Sequence, residues 1–167
     1  MDTLTDGTIH VFTFKEGLLS KVAHDLRLSL SRFEIRLDGD AVEATLWPAS
    51  LAVDGAVENG RLRPDGVSGK DKNDIHGNAT GPKILDVARH PTVEFRGARR
   101  GDRVEGTLRL AGREAPLAFP VTEADGRAAG SFELVPSRWG IKPFKALMGA
   151  IRLQDRVQVV FDVALPG

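Results

Sequence analysis

Apolar and polar residues alternate along most of the chain, and the alternation is longest over residues 151–165. One face of this segment is almost entirely apolar, whereas the other carries Arg152, Arg156, Gln158 and Asp162. A period of two is the pattern of a β-strand that buries one face and exposes the other. The segment is longer than an average strand, which is typical of a strongly coiled sheet or a barrel wall.

Similar alternation predicts strands upstream, separated by glycine-rich turn signals such as Asp38-Gly39-Asp40 and Asp125-Gly126. Residues 22–37 change phase near Ser31-Arg32, which predicts a bulge that bends the strand. With the segment above, about eight antiparallel strands are expected, and the others cover residues 8–15, 22–37, 41–46, 92–98, 103–110, 115–123 and 128–135.

The strand pattern lapses over residues 70–88, where we predict a short helical insertion. Thr80-Gly81-Pro82 resembles a helix start with proline at the first helical position, and Ile84 and Leu85 are spaced for one face.

These elements predict an all-β fold, an eight-stranded antiparallel barrel with that insertion, as a single domain over residues 1–167. Solvated strand faces exclude a doubly wound parallel sheet. Closure removes the exposed edges that a flat sheet would have. Eight strands is also the size at which a barrel can hold one small ligand.

The composition is that of an ordinary soluble globular protein, with 41% hydrophobic and 28% charged residues among 167. Lysine plus arginine equals aspartate plus glutamate at 23 each, so no net charge draws the protein to nucleic acid. Cysteine is absent, which excludes disulfides and thiolate chemistry. No transmembrane segment is expected. No secretory signal is recognised at the start, so a cytoplasmic location is the default expectation.

Three ordered motifs resemble those of a known family. They are Lys83-Ile84-Leu85-Asp86 followed by His90-Pro91-Thr92-Val93-Glu94-Phe95, the hairpin over residues 106–117, and Ser137-Arg138-Trp139-Gly140-Ile141 followed by Asp155-Arg156-Val157. This set is similar to the YceI-like family of lipocalin-like barrels associated with polyisoprenoids and isoprenoid quinones. The resemblance implies an elongated eight-stranded barrel, an extended apolar cavity and a helical segment near its mouth. Trp139 departs from the smaller aromatic residue that is common in the family.

The candidate ligand-binding residues are mostly those on the inferred inward faces. Alternatively, these side chains fill a dry core. The segment 139–148 is interpreted either as a lid over an apolar mouth or as a loop pinned by aromatic residues. The predicted set is Phe12, Phe14, His24, Leu28, Leu30, Phe95, Leu108, Leu110, Leu117, Phe119, Phe132, Leu134, Trp139, Phe144, Met148, Val159 and Phe161.

Signals for metal or covalent chemistry are weak. The four histidines show no metal-ligand spacing, and no G-x-S-x-G elbow occurs. Asp155 interrupts an apolar face and is expected to be buried against a partner, through hydrogen bonds or a cation, for which Lys142, Lys145 and Arg152 are candidates. No catalytic residue, metal or cofactor is predicted.

The first functional hypothesis is therefore a non-catalytic binding protein for an amphiphilic isoprenoid lipid, either a polyprenyl chain or an isoprenoid quinone. Its tail would lie inside the barrel, and His24, Lys142 and Lys145 would orient the head. One alternative is an enzyme on a small apolar substrate that uses His24 and an acidic residue. Another is a solid barrel that acts as a stress-related interaction module. The sequence leaves open whether the barrel forms a homodimer.

Overall fold

The computed structural model describes residues 1–16, 24–146 and 151–167, and this part of the chain is built almost entirely from antiparallel strands. One α-helix, α1 (Gly69–Thr80), and three 3₁₀ turns (Pro48–Ser50, Pro64–Gly66 and Pro136–Trp139) interrupt them. The strands are β1 (Asp2–Leu4), β2 (Gly7–Lys15), β3 (Asp25–Leu30), β4 (Phe33–Asp38), β5 (Ala41–Leu46), β6 (Leu51–Glu58), β7 (Arg61–Arg63), β8 (Val93–Arg100), β9 (Arg103–Leu110), β10 (Arg113–Pro120), β11 (Thr122–Ala124), β12 (Arg127–Leu134), β13 (Lys145–Ala146) and β14 (Ile151–Ala164).

The strands form two antiparallel sheets rather than one closed ring. The first sheet has the order β1-β4-β5-β8-β9-β10, and the second has the order β11-β12-β14-β2-β3-β6-β7, with β13 paired to β14. The predicted all-β antiparallel fold with one short helix is confirmed. No closed eight-stranded barrel is found among the described residues, so that part of the prediction is not supported.

Several long segments of alternating residues begin in one sheet and continue in the other. Each of these segments therefore forms two strands. The run that contains β3 and β4 switches at Ser31-Arg32, where the phase slip in the sequence predicted a bend. The run of β5 and β6 switches through Pro48–Ser50, and the two corners are joined because the Trp47 amide donates to the Arg32 carbonyl at 3.1 Å. Corners of this kind are typical of two sheets packed at a large angle.

The main hydrophobic core lies between the sheets. Its buried residues include Phe33 and Phe95 from the first sheet and Leu30 and Val163 from the second. A smaller cluster, formed by Leu26, Leu28, Ala56 and Val67, packs against Ile75 of α1.

The structure contains the predicted helix, but the helix covers only the first part of the predicted range. Ser68 caps the start of α1, since its side chain accepts a 3.1 Å hydrogen bond from the Asp71 amide. The helix ends at Gly81, so Thr80-Gly81-Pro82 is a helix end and not the predicted start. Proline directly after a C-cap stops a helix as well as it can begin one. Within the described residues, no helix has the length and apolar character needed to cross a membrane.

Candidate ligand-binding cavity

A cavity of about 1330 Å³ lies between the two sheets. This volume exceeds the roughly 300–1,000 Å³ of sites for drug-sized ligands, so the space suits a larger molecule. No large side chain among the described residues is completely buried, and no charged or polar residue belongs to their buried set. The inner faces of the sheets therefore surround space instead of packing fully against each other.

Alternate residues of the strands supply the cavity wall, as the pleat requires. Ile9, Val11 and Thr13 of β2 line it from the second sheet. Ile35 of β4 and Ala44 of β5 line it from the first sheet. The inner faces of β4 and β5 were not included in the predicted binding set, although the same alternation could have identified them.

Most of the predicted binding residues lie along this cavity. Those that line it are His24, Leu28, Leu30, Phe95, Leu108, Leu110, Leu117, Phe119, Phe132, Leu134, Phe144, Val159 and Phe161.

Four of these residues form an aromatic cluster that spans the two sheets where β10 approaches β12. The rings of Phe119 and Phe132 stack with centroids 4.8 Å apart, and Phe161 meets Phe119 edge-on at 5.6 Å. Phe95 lies 5.7 Å from Phe119. Gly130 gives the Phe161 ring room, because a Cβ there would lie 2.6 Å from its Cζ atom. The cluster forms one wall of the cavity, and aliphatic side chains form most of the remainder.

Phe12 and Phe14 do not line the cavity, contrary to the prediction. They lie on the face of β2 opposite Val11, and the guanidinium of Arg156 stacks over the Phe14 ring at 3.9 Å. Both faces of β2 are apolar, so the alternation could not distinguish the inner face from the outer one.

Trp139 is also outside the cavity wall. It is only 2% exposed, and its Nε1 donates a 2.9 Å hydrogen bond to the Leu108 carbonyl. This contact pins the turn Pro136–Trp139 to β9, as the loop interpretation of this segment proposed. Met148 lies outside the described residues.

Polar residues of the cavity wall fall into two groups at opposite ends. Successive turns of an antiparallel meander alternate between its ends, so the turns after β4, β8 and β11 share one end. Asp2, Arg99 and Glu123 line the cavity at that end. The end near α1, which we call the mouth, has the polar wall residues Thr13, His24, Asp71, Asp74, Asn78, Lys142, Gln154 and Arg156.

The mouth contains an unsatisfied hydroxyl. Thr13 Oγ1 is the one buried side-chain polar atom that finds no hydrogen-bond partner within the described ranges. A buried hydroxyl without a partner is unfavourable by about 1–3 kcal/mol. Because this oxygen exposes almost no surface, a ligand atom in the cavity does not reach it in this structure.

Of the two kinds of partner predicted for Asp155, the structure shows hydrogen bonds and, among the described residues, none of the candidate cations. Its carboxylate accepts a 3.0 Å hydrogen bond from the Ser137 amide and a second one from the Ser137 hydroxyl. Within the part of the chain that the structure describes, no group of three or more histidine and acidic side chains could hold a metal ion.

Comparisons with known proteins agree on the fold. The model of a family described as the YceI-like domain matches residues 6–165. BcnA of Burkholderia cenocepacia superposes with a TM-score of 0.61 at 13% identity, over 96% of each chain. A mutant YCEI protein of Campylobacter jejuni, solved with a monobromobimane guest, superposes with a TM-score of 0.56 at 10% identity, over 81% of each chain. No curated protein matches the chain by sequence. At these identities the structural likeness shows the fold alone.

Proposed function

Since the chain belongs to the YceI-like family, whose members bind hydrophobic ligands, we propose that it is a non-catalytic binding protein for an amphiphilic isoprenoid lipid. A polyprenyl chain or an isoprenoid quinone would place its tail between the two sheets. The observation that carries this proposal is the apolar cavity of about 1330 Å³.

Burial of the tail supplies most of the affinity in this proposal. Removing apolar surface from water contributes about 25 cal/mol per Å², so a long tail binds tightly with few polar contacts. The apolar predicted residues that line the cavity, together with Ile35 and Ala44, are the ones we assign to tail binding.

The head of the lipid would lie at the mouth. His24 and Lys142 line the cavity there. Lys145, the third predicted head-group residue, is exposed on β13 and does not line the cavity. We therefore assign head-group contacts to His24 and Lys142.

We also propose that the two sheets act as the halves of one flattened barrel, in a single domain. Several runs of the chain pass from one sheet into the other, including β3 into β4 and β5 into β6, which supports this view. The solid-barrel alternative predicts a packed interior and an exposed apolar patch. The cavity contradicts the first expectation, and the one exposed large hydrophobic residue in the described part is Met1.

Native mass spectrometry of protein purified from cells tests the proposal directly. We expect an additional mass that extracts into organic solvent and is identified as an isoprenoid. The stripped protein should then bind an added quinone with quenching of tryptophan fluorescence. A correctly folded protein that carries no lipid and binds neither quinone nor polyprenyl alcohol would contradict the proposal.

A further inference from the structure

An ion pair lies in the cavity wall at the end opposite the mouth. Arg99 of β8 donates from its guanidinium to the Glu123 carboxylate of β11, and both residues line the cavity. Because β8 and β11 belong to different sheets, the pair bridges the two sheets across this end. The two side chains are 37% and 44% exposed, so their outer surfaces meet solvent.

The surrounding turns hold the pair in position. Arg99 Nε donates a 2.8 Å hydrogen bond to the Gly101 carbonyl, which orients the guanidinium. The Arg99 amide donates at 2.7 Å to the Asp40 carbonyl, so the turns after β4 and β8 are joined. The Val121 amide donates at 2.8 Å to the Asp102 carbonyl and brings the start of β11 to the same turn.

The cavity wall changes from apolar to charged at this ion pair. Leu37, Val42 and Val121 line the same end of the cavity and are apolar, whereas Arg99 and Glu123 carry formal charges. A hydrocarbon tail is stabilised along the apolar wall, but it gains nothing by displacing charges that are hydrogen-bonded and solvated. We propose that the Arg99–Glu123 ion pair closes this end of the cavity and limits the length of the lipid tail that it accepts.

The geometry gives an approximate limit. Cavity-lining residues run from Leu153 of β14 to Leu165, which directly follows this strand, and they span roughly 40 Å of chain at about 3.3 Å per residue. Strands in rolled sheets lie at about 35–45° to the long axis, so the cavity is roughly 30 Å long. A longer tail must fold back inside the cavity or leave part of itself outside the mouth.

This inference rests on the proposed lipid binding and is tested by affinity as a function of tail length. The probes are linear polyprenyl alcohols of increasing length, measured by displacement of an apolar fluorescent dye from the full chain. For the wild type, affinity should rise with length and then stop rising. In Arg99→Ala and Glu123→Ala, the opened end should let the longest alcohols bind at least about tenfold more tightly than they bind the wild type. The shortest alcohols should bind equally to all of these proteins.

Arg127→Ala is the matched control. Arg127 pairs with Asp162 near the same end of the molecule and has similar exposure, but neither residue lines the cavity. Exposed ion pairs contribute little to folding, and thermal unfolding of each variant checks this. Glu123→Ala keeps the hydrogen bonds of Arg99 to the turns and serves as the second variant if Arg99→Ala fails to fold. Length profiles that match Arg127→Ala in both variants would overturn the inference, whereas a wild type that binds neither the alcohols nor a quinone would overturn the proposed function itself.

Discussion

Replacing Ala44 by phenylalanine tests whether the sheets enclose usable space. Ala44 lies in the middle of β5, opposite Ile35 of β4 and Phe95 of β8 in the sheet register. Its side chain lines the cavity, so an added ring would enter the space that we assign to the lipid tail.

The expected effect differs for an open cavity and a packed core. In a packed core, added carbons lower the free energy of unfolding by about 1–3 kcal/mol through strain. In a cavity of about 1330 Å³, one ring fits without displacing protein atoms, so we expect the free energy of unfolding to stay the same or rise. The ring would, however, displace part of the ligand. At about 0.8 kcal/mol per methylene, losing roughly three carbons of contact weakens binding by about 50-fold.

Ala56→Phe is the matched control, because Ala56 is 0% exposed and does not line the cavity. It packs in the small cluster beneath α1, where even a Cβ added at Gly66 would come within 2.9 Å of the Ala56 Cβ. Urea denaturation should therefore show a large loss of stability for Ala56→Phe and none for Ala44→Phe. Dye displacement by a polyprenyl alcohol then measures the affinity of Ala44→Phe.

Two results would refute this reasoning. Equal destabilisation by the two substitutions would mean that Ala44 already contacts packed atoms. A stable Ala44→Phe protein that binds polyprenyl alcohols as tightly as the wild type would place the ligand elsewhere.

Three further substitutions test individual contacts. Phe14→Leu removes the ring under Arg156 and should lower the free energy of unfolding by about 0.5–1 kcal/mol in urea, while lipid affinity stays unchanged because Phe14 lies outside the cavity. Trp139→Phe leaves the buried Leu108 carbonyl without its side-chain donor, and we expect a loss of about 1–3 kcal/mol on urea denaturation. Ser68→Ala removes the α1 cap, worth about 1 kcal/mol, and hydrogen exchange should become faster in the first turn of the helix than in the strands.

Strand positions could be predicted because alternation is a local consequence of the pleated backbone. The last strand was predicted over residues 151–165 and is observed as Ile151–Ala164. The arrangement of the strands into two sheets, instead of one closed barrel, could not be predicted in the same way. Pairing between strands that are distant in sequence leaves no periodic signal along either strand. Only the phase slip at Ser31-Arg32 indicated a place where the chain changes sheets.

The position of α1 could not be predicted from hydrophobic periodicity. No residue of α1 is buried, so the helix has no apolar stripe to detect. The available signal was the cap, since Ser68 followed three residues later by Asp71 is a pattern typical of helix starts. Ile84 and Leu85, whose spacing suggested a helical face, instead pack against the main core from the turns that follow the helix.

The site was predictable where one face of a strand is clearly more apolar than the other. β9 alternates in this way, and its predicted residues Leu108 and Leu110 line the cavity. β2 does not, and the predicted set contained Phe12 and Phe14, which lie outside, whereas Ile9 and Val11 on its other face line the cavity. When both faces of a strand are apolar, alternation alone does not identify the face that borders a cavity.

Asp155 shows how a strand can carry a charge in the middle of an apolar face and still line the cavity. Strict alternation would place Asp155 on the same face as Leu153 and Val157, and a carboxylate without partners in that wall would be unfavourable by several kcal/mol. The pairing of β14 with β2 shifts register between Leu153 and Val157, and both of these residues line the cavity while Asp155 does not. The carboxylate instead accepts two hydrogen bonds from Ser137. The irregularity therefore keeps this charge out of the wall that we assign to the hydrocarbon tail.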